Sequence, residues 1–325
     1  MIIMTTVAFL LGLILCLLFG IPYIDFLKKH LFNQYVKDVV PEGHAQKNGT
    51  PTTGGVFIVG AIIIAAIITL LLAQRLTTTA LIILMTLFFY TLAGFQDDYL
   101  KIKGKGNKGL SAKGKFLRQI AIALLPTIFI VGEHVTNIKI GYQYYDLGWF
   151  YPVLAIFIIT GASNAFNLTD GLDGLAASSG IPAFLACTII AAISNQNEIA
   201  IISAAVAGAL IGFLVYNKPK AAVFMGDTGS LALGGLLGTL AVMGKFEFSL
   251  LIFAGVFVIE TLSVIIQVIS FKTTRKRVFK MSPIHHHFEL EGWSEKQIVV
   301  RFAFVSLMFS ILAVMLYNSF FHGSL

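Results

Sequence analysis

Residues 54–74 read GGVFIVGAIIIAAIITLLLAQ, an unbroken run without a single charge. A helix needs about 20 apolar residues to cross roughly 30 Å of hydrocarbon, and this run has that length. Working outward, nine comparable stretches follow the same rule, at 2–21, 77–96, 116–132, 148–166, 175–194, 199–216, 228–244, 248–271 and 302–321. Within them, 116–132 is short and carries Pro126, and 228–244 is short and rich in glycine, which suits close helix packing. Only 12% of the 325 residues are charged and 57% are hydrophobic, against about 25% charged in a soluble domain. The expectation is an all-α, polytopic transmembrane helix bundle of about ten spans, forming one domain over residues 1–325.

Charge placement gives an orientation. No charge precedes Asp25, and Lys28 and Lys29 follow the first apolar run. That order predicts a retained first span with its N-terminus outside, not a cleaved signal. The loops at 22–53, 97–115, 167–174, 217–227 and 272–301 then share one side. Counted with Arg118 and the span rims, that side holds 20 of the 23 Lys and Arg, leaving Arg75, Lys139 and Lys245 opposite. The basic side is expected in the cytoplasm, with both termini outside. Cys16 and Cys187 lie in apolar spans and fit neither a disulfide framework nor a metal site.

Basic residues satisfy the orientation rule by themselves; the acids in the same loops do not. Asp97, Asp98, Asp170, Asp173 and Asp227 all fall on the cytoplasmic side. Asp97 and Asp98 sit at the end of the third span, where a helix dipole favours cations, so carboxylates are poorly placed unless they have a task. Adjacent residues differ by about 100° around a helix, so the two need not face one site. The lysines at 101, 103, 105, 108, 113 and 115 that follow can hold anions or lipid headgroups. Asn164, Asn167, Asp170 and Asp173 recur every third residue, a ladder a plain turn does not require. Asp227, between Gly226 and Gly229 at a helix entrance, reads either as an N-cap or as a Mg²⁺ ligand. Lys47 through Gly55 offers a lysine, threonines and backbone N–H groups to a phosphate, or forms a simple turn into the second span.

Two further patterns stand out. Glu260, Ser263, Gln267 and Ser270 form one polar stripe on the ninth span, which lipid cannot satisfy. Gln267, nearer the cytoplasm, is the better candidate for substrate contact, and Glu260 reads as a structural contact or as part of the site. His285, His286 and His287 are consecutive on one short segment. Consecutive positions do not converge on one ion, so these imidazoles are expected to bind phosphate oxygens or hold an acid in place.

In order along the chain, Gly49-Thr-Pro-Thr-Thr-Gly-Gly55, Asp97-Asp98-Tyr99, Asn164 to Gly174, Phe224-Met-Gly-Asp-Thr-Gly-Ser230 and Ser282-Pro-Ile-His-His-His-Phe-Glu289 resemble the polyprenyl-phosphate N-acetylhexosamine-1-phosphate transferase superfamily. The last motif resembles the muramoyl-pentapeptide branch in particular. The resemblance covers nearly the whole chain. It implies transfer of phospho-N-acetylmuramoyl-pentapeptide from UDP-MurNAc-pentapeptide to undecaprenyl phosphate, at the cytoplasmic face of a bacterial plasma membrane, in peptidoglycan synthesis. It implies Mg²⁺ as cofactor, with Asp227 as metal ligand. Asp97, Asp98, Asp227, His285, His286 and His287 match the family's catalytic residues. Lys47, Thr52, Lys113, Asn167, Asp170, Asp173, Asn217, Phe224 and Gln267 match its substrate-binding positions. Two places depart from the pattern: Asn217-Lys-Pro-Lys-Ala-Ala222 shifts a proline and a lysine, and Ala303 stands where the family has tryptophan. No nucleic-acid partner is expected, and a homodimer is one option for the assembly. A sister transferase with another UDP-N-acetylhexosamine and, from a different class, a secondary transporter are the rival readings. Against the transporter stand the single intramembrane acid and the lack of an internal repeat.

Overall fold

The computed structural model describes residues 1–30, 49–103, 109–141 and 143–321. The chain enters through α1 (Ile2–Lys29), which continues past Pro22 beyond the expected limit at 21. It is followed by α2 (Gly55–Leu72), α3 (Thr78–Lys103) and α4 (Ala112–Gly132). Next come a hairpin of β1 (Asn137–Ile140) and β2 (Gln143–Asp146), then α5 (Phe150–Thr169), α6 (Leu175–Ile193), α7 (Asn197–Asn217) and α8 (Gly226–Gly244). The chain closes with α9 (Glu247–Phe253), α10 (Gly255–Thr274), α11 (Ile284–Leu290) and α12 (Glu295–Phe321). Among the described residues nine helices are long and apolar enough to cross a membrane: α1 to α7, α10 and α12. The chain is an integral membrane protein.

The eighth expected span, 228–244, is helical but differs in kind from the others. All of α8 except Gly226 and Met243 is buried, because α2, α3 and α5 pack around it. Its glycines let those neighbours approach closely, so apolarity toward lipid is not demanded of it. A second layer surrounds α7, which is flanked by α1, α2 and α6, with α12 on α6 and α10 on α5.

Several expected boundaries are corrected. The run 248–271 is not one helix but two, parted at Ala254 where the backbone leaves helical geometry. The next residue, Gly255, lies against the ring of Phe309 in α12. Residues 97–103 are not loop: α3 runs through them, adding two turns that carry Asp97, Asp98 and Lys101. Nor is 295–301 loop, since α12 already begins at Glu295. Helix α4 is longer than expected because Ser111 caps it, its side chain accepting from the Gly114 N–H. The hairpin was not foreseen. Its strands are antiparallel, with Asn137 opposite Asp146, and Lys245 Nζ donates to the carbonyls of Val135 and Asn137, both at 3.0 Å.

Candidate active site

The entrance of α8 is built by three backbones meeting. Phe224 N–H donates to the Pro51 carbonyl (2.8 Å), and the Gly54 and Gly55 N–H groups donate to Phe224 and Met225 (2.9 Å each). This stitches the 51–55 segment to the turn before α8. Gly226 holds that turn with φ of +71°, a conformation costly for other residues. On the other side α3 comes so close that a Cβ on Gly94 would lie 2.1 Å from the Asp227 carbonyl oxygen.

The first N–H groups of any helix lack intrahelical partners, and Met225, the N-cap of α8, supplies no side-chain bond. Asp98 supplies it from α3. Its carboxylate accepts from Asp227 N–H (3.1 Å), Thr228 N–H (2.9 Å) and the Thr228 hydroxyl (2.6 Å). A carboxylate beside a helix N-terminus also meets the positive end of its dipole. Thr52 sits beside this junction with its hydroxyl buried and without a hydrogen-bond partner among the described residues.

Asp227 itself is the hub. Its Oδ2 accepts from Lys101 Nζ at 2.8 Å and Lys115 Nζ at 2.7 Å, and its Oδ1 from Asn167 Nδ2 at 2.7 Å. Lys101 also pairs with Asp97 (2.6 Å), whose other oxygen accepts from the Leu110 N–H at 2.7 Å. Asn167 reaches Ser230 as well, at 2.7 Å. Ligand atoms of Asp97, Asp98 and Asp227, all buried, lie within 4.8 Å of one another. Burying carboxylates without compensation is costly; here two ammonium groups and helix N–H groups supply it. Three hard oxygen donors so gathered could also hold a hard cation. Asp170, at the C-terminal end of α5, belongs to the same field. Burial, then the charges of Asp227, Asp98 and Asp173, hold its carboxyl well above the usual carboxylate range.

The histidines part company, as consecutive positions must. His285 is fully buried and its Nδ1 lies 3.0 Å from Glu260 Oε1. His286 Nδ1 pairs with Glu289 at 2.6 Å. His287 Nδ1 accepts from the Lys280 N–H at 3.2 Å. Phe288, Trp293 and Phe302 pack with Leu172, Leu175, Ile298 and Val299 in a small separate core. Glu295 accepts from the Asp173 N–H at 2.7 Å. Together these dock the last loop against the turn that carries Asp170.

Other expected site residues serve the scaffold in this structure. Asp173 accepts from the Ala221 N–H (3.0 Å). Asn217 accepts from the Gly174 N–H and donates to the Val223 carbonyl, both at 2.9 Å. The amide of Gln267, expected to touch substrate, is instead filled by backbone: it accepts from Val278 and Phe279 N–H and donates to the Phe279 carbonyl. With Ser270 donating to the Lys276 carbonyl (2.9 Å) and Glu260 meeting His285 (3.0 Å), three residues of the stripe on α10 hold the 276–287 segment, while Ser263 donates back to the Glu260 carbonyl (2.6 Å). Lys113 is exposed; Lys115, two residues on and so on the opposite helix face, is the lysine at Asp227. Phe224 is partly buried, and Lys47 lies outside the described residues. In the sequence Lys101 and Lys115 stand only among six lysines that follow the third span. The i,i+4 spacing of Asp97 and Lys101 was the available signal for one of them. Gln119, paired with Asn164 through both amides at 2.5 and 3.3 Å, was missed altogether.

Residues 80–245 match the profile of glycosyl transferase family 4. Three bacterial relatives carry the name phospho-N-acetylmuramoyl-pentapeptide-transferase. That of Bacillus licheniformis is 46% identical over 311 residues, and that of Bacillus subtilis 46% over 308, each match covering 94% of this chain and 95% of the relative. That of Oceanobacillus iheyensis is 47% identical over 321 residues, covering 95% of both. The acid-and-lysine hub at the mouth of α8 thus lies within a profile spanning half of the chain and relatives matching nearly all of it: the chain belongs to glycosyl transferase family 4, among the phospho-N-acetylmuramoyl-pentapeptide-transferases.

Proposed function

We propose that this chain transfers phospho-N-acetylmuramoyl-pentapeptide from UDP-MurNAc-pentapeptide to undecaprenyl phosphate, releasing UMP and a lipid-linked sugar pyrophosphate for peptidoglycan synthesis. The observation that carries this reading is the convergence on Asp227 of Lys101, Lys115, Asn167 and the adjacent acids, from helices far apart in sequence. The charge bias of the loops supports a cytoplasmic face for this centre. With α8 counted beside the nine apolar helices, it also supports ten crossings of one domain with both termini outside.

In the reaction a phosphate oxygen of the lipid attacks the sugar-bearing phosphorus of the pyrophosphate, and UMP leaves. Such a transfer needs alignment and charge neutralisation more than covalent chemistry from the protein. Lys101 and Lys115 supply ammonium groups that exchange their carboxylate partners for phosphoryl oxygens. Asn167 fixes the orientation of Asp227, and the unpartnered hydroxyl of Thr52 is a ready donor to a phosphate. Asp227, with Asp97 and Asp98 beside it, would hold Mg²⁺, which when bound supplies further neutralisation of the pyrophosphate and of departing UMP. Asp98 is already engaged as the cap of α8, so Asp97 and Asp227 carry more of the cation binding. Asp170 shares the field of Asp227, and His285 reaches the Asp170–Gly171 turn from the last loop. Asp173, Asn217 and Gln267 contribute to binding through the loops they hold.

The test is release of UMP by purified protein given undecaprenyl phosphate, Mg²⁺ and either UDP-MurNAc-pentapeptide or UDP-N-acetylglucosamine. Turnover of the first and not the second is expected, and Asp227→Ala should abolish it. Turnover of UDP-N-acetylglucosamine alone would overturn the substrate assignment; full activity in Asp227→Ala would overturn the site.

A further inference from the structure

His285 and Glu260 form a wholly buried ionisable pair to which the mechanism above gives no step. Both side chains are wholly buried, and His285 Nδ1 stands 3.0 Å from Glu260 Oε1. The ring's other nitrogen, Nε2, is buried and has no hydrogen-bond partner among the described residues. It faces the Asp170–Gly171 turn so closely that a Cβ on Gly171 would lie 2.4 Å from it. That turn adjoins Asp170, which shares the electrostatic field of Asp227 and Asp98. One end of the imidazole is therefore anchored inside α10 and the other is delivered to the edge of the acid cluster.

We propose that Glu260 is a positioning residue for the transfer: its carboxylate accepts the Nδ1–H of His285 and so fixes both the ring's orientation and its tautomer, with an Nε2 lone pair presented at the Asp170–Gly171 turn. The proposal rests on the transferase reading given above. A carboxylate is an acceptor only, so its partner nitrogen must carry the proton. An imidazole whose Nδ1 is committed in this way has Nε2 as its remaining acceptor, free for a donor from substrate, solvent or a neighbouring acid. Neighbouring groups do not compete for the role. Glu289 is taken by His286 at 2.6 Å, and Lys280 by Glu291 at 2.7 Å and the Leu290 carbonyl at 3.2 Å. The polar stripe supports the arrangement: Gln267 and Ser270 grip residues 276–279, and Glu260 grips the loop's buried histidine about two to three turns deeper.

The experiment compares wild type with Glu260→Gln, Glu260→Asp and Glu260→Ala in lipid, all accepted only if monodisperse. Steady-state UMP release is measured together with ¹⁵N magnetic resonance of histidine-labelled protein, the His285 signal being assigned by its loss in His285→Asn. Wild type should show an Nδ1-protonated His285. Glu260→Gln, nearly isosteric but able to present an N–H, should lose or reverse that signature and lower kcat about 10- to 100-fold, as orienting partners of ligand histidines do. KM for the nucleotide sugar should stay within about three-fold, since what the substitution removes is alignment in the transition state and not ground-state binding. Glu260→Asp should recover part of kcat. An Nε2-protonated wild type, or wild-type kcat in Glu260→Gln, would overturn the proposal, even if Glu260→Ala lost activity through misfolding. Absence of UMP release by wild type would strike the transferase reading instead, and the resonance of His285 would still decide whether Glu260 sets its tautomer.

Discussion

Gly94→Ala puts a single methyl group where α3 and α8 touch. Its Cβ would lie 2.1 Å from the Asp227 carbonyl oxygen, 2.5 Å from the carbonyl carbon and 2.7 Å from Thr228 Cα. All three neighbours are backbone, so no side chain can swing aside. Non-bonded heavy atoms settle near ~3.5 Å, so α3 must retreat by about 1 Å or more. The first casualties are the hydrogen bonds from Asp227 and Thr228 N–H to Asp98, now 3.1 and 2.9 Å, which at that displacement pass beyond useful range. The pairing of Lys101 with Asp227 is lost with them, because it spans the same two helices, while its pairing with Asp97 lies within α3 and stays. Overpacking of this kind costs about 1–3 kcal/mol, and a misplacement of about 1 Å at a reacting centre costs on the order of 100-fold in rate. Thermal unfolding in detergent and UMP release at saturating substrates measure the two effects. Gly161→Ala in α5, whose added Cβ meets nothing within 4 Å, is the control and should leave kcat unchanged and the melting temperature no lower. Wild-type kcat and melting temperature in Gly94→Ala would refute the claim that the close approach of α3 and α8 sets the site.

Two further outcomes follow from the same geometry. Asp98→Ala strands two buried N–H groups and a hydroxyl, at about 1–3 kcal/mol for each unsatisfied group, and should lower the melting temperature more than Asp97→Ala does; the reverse order would show that Asp98 is not the cap of α8. Asp170 has a carboxyl raised on folding. It therefore binds its proton more tightly folded than unfolded, and the stability this contributes is present below its ordinary value and is lost as pH rises through the folded one. Asp170→Asn should accordingly melt higher than wild type at pH 8, with the gap closing toward pH 4, while losing transfer activity. Equal melting temperatures at pH 8 would contradict the burial argument.

The helices were legible because hydrocarbon imposes length and apolarity on each span independently of its neighbours. The break at Ala254 and the enclosure of α8 were not, because both depend on what packs alongside. The same division runs through the site. That Asp97, Asp98, Asp170 and Asp227 would share one face followed from charge placement alone. Which lysine would meet Asp227 did not: Lys113 and Lys115 differ only in helix face, and that face is set by the cap at Ser111. Gln267 is expected at substrate for its place at the cytoplasmic end of the polar stripe; in the structure its amide is met by the backbone of residues 278–279. The hairpin at 137–146 escaped notice because its strands are four residues each and β2 is exposed.

Asp98 reaches across 129 positions of the chain to finish a helix that begins at Gly226. A polypeptide emerging in order therefore inserts α3 long before the segment it completes has been made. Until then its acids have no cradle, and the lysines that steady them have nothing to converge upon. Chemical competence arrives only with the late docking of α8, so a half-assembled chain is inert toward activated sugars, and loosening that one junction should silence the enzyme well before the bundle comes apart.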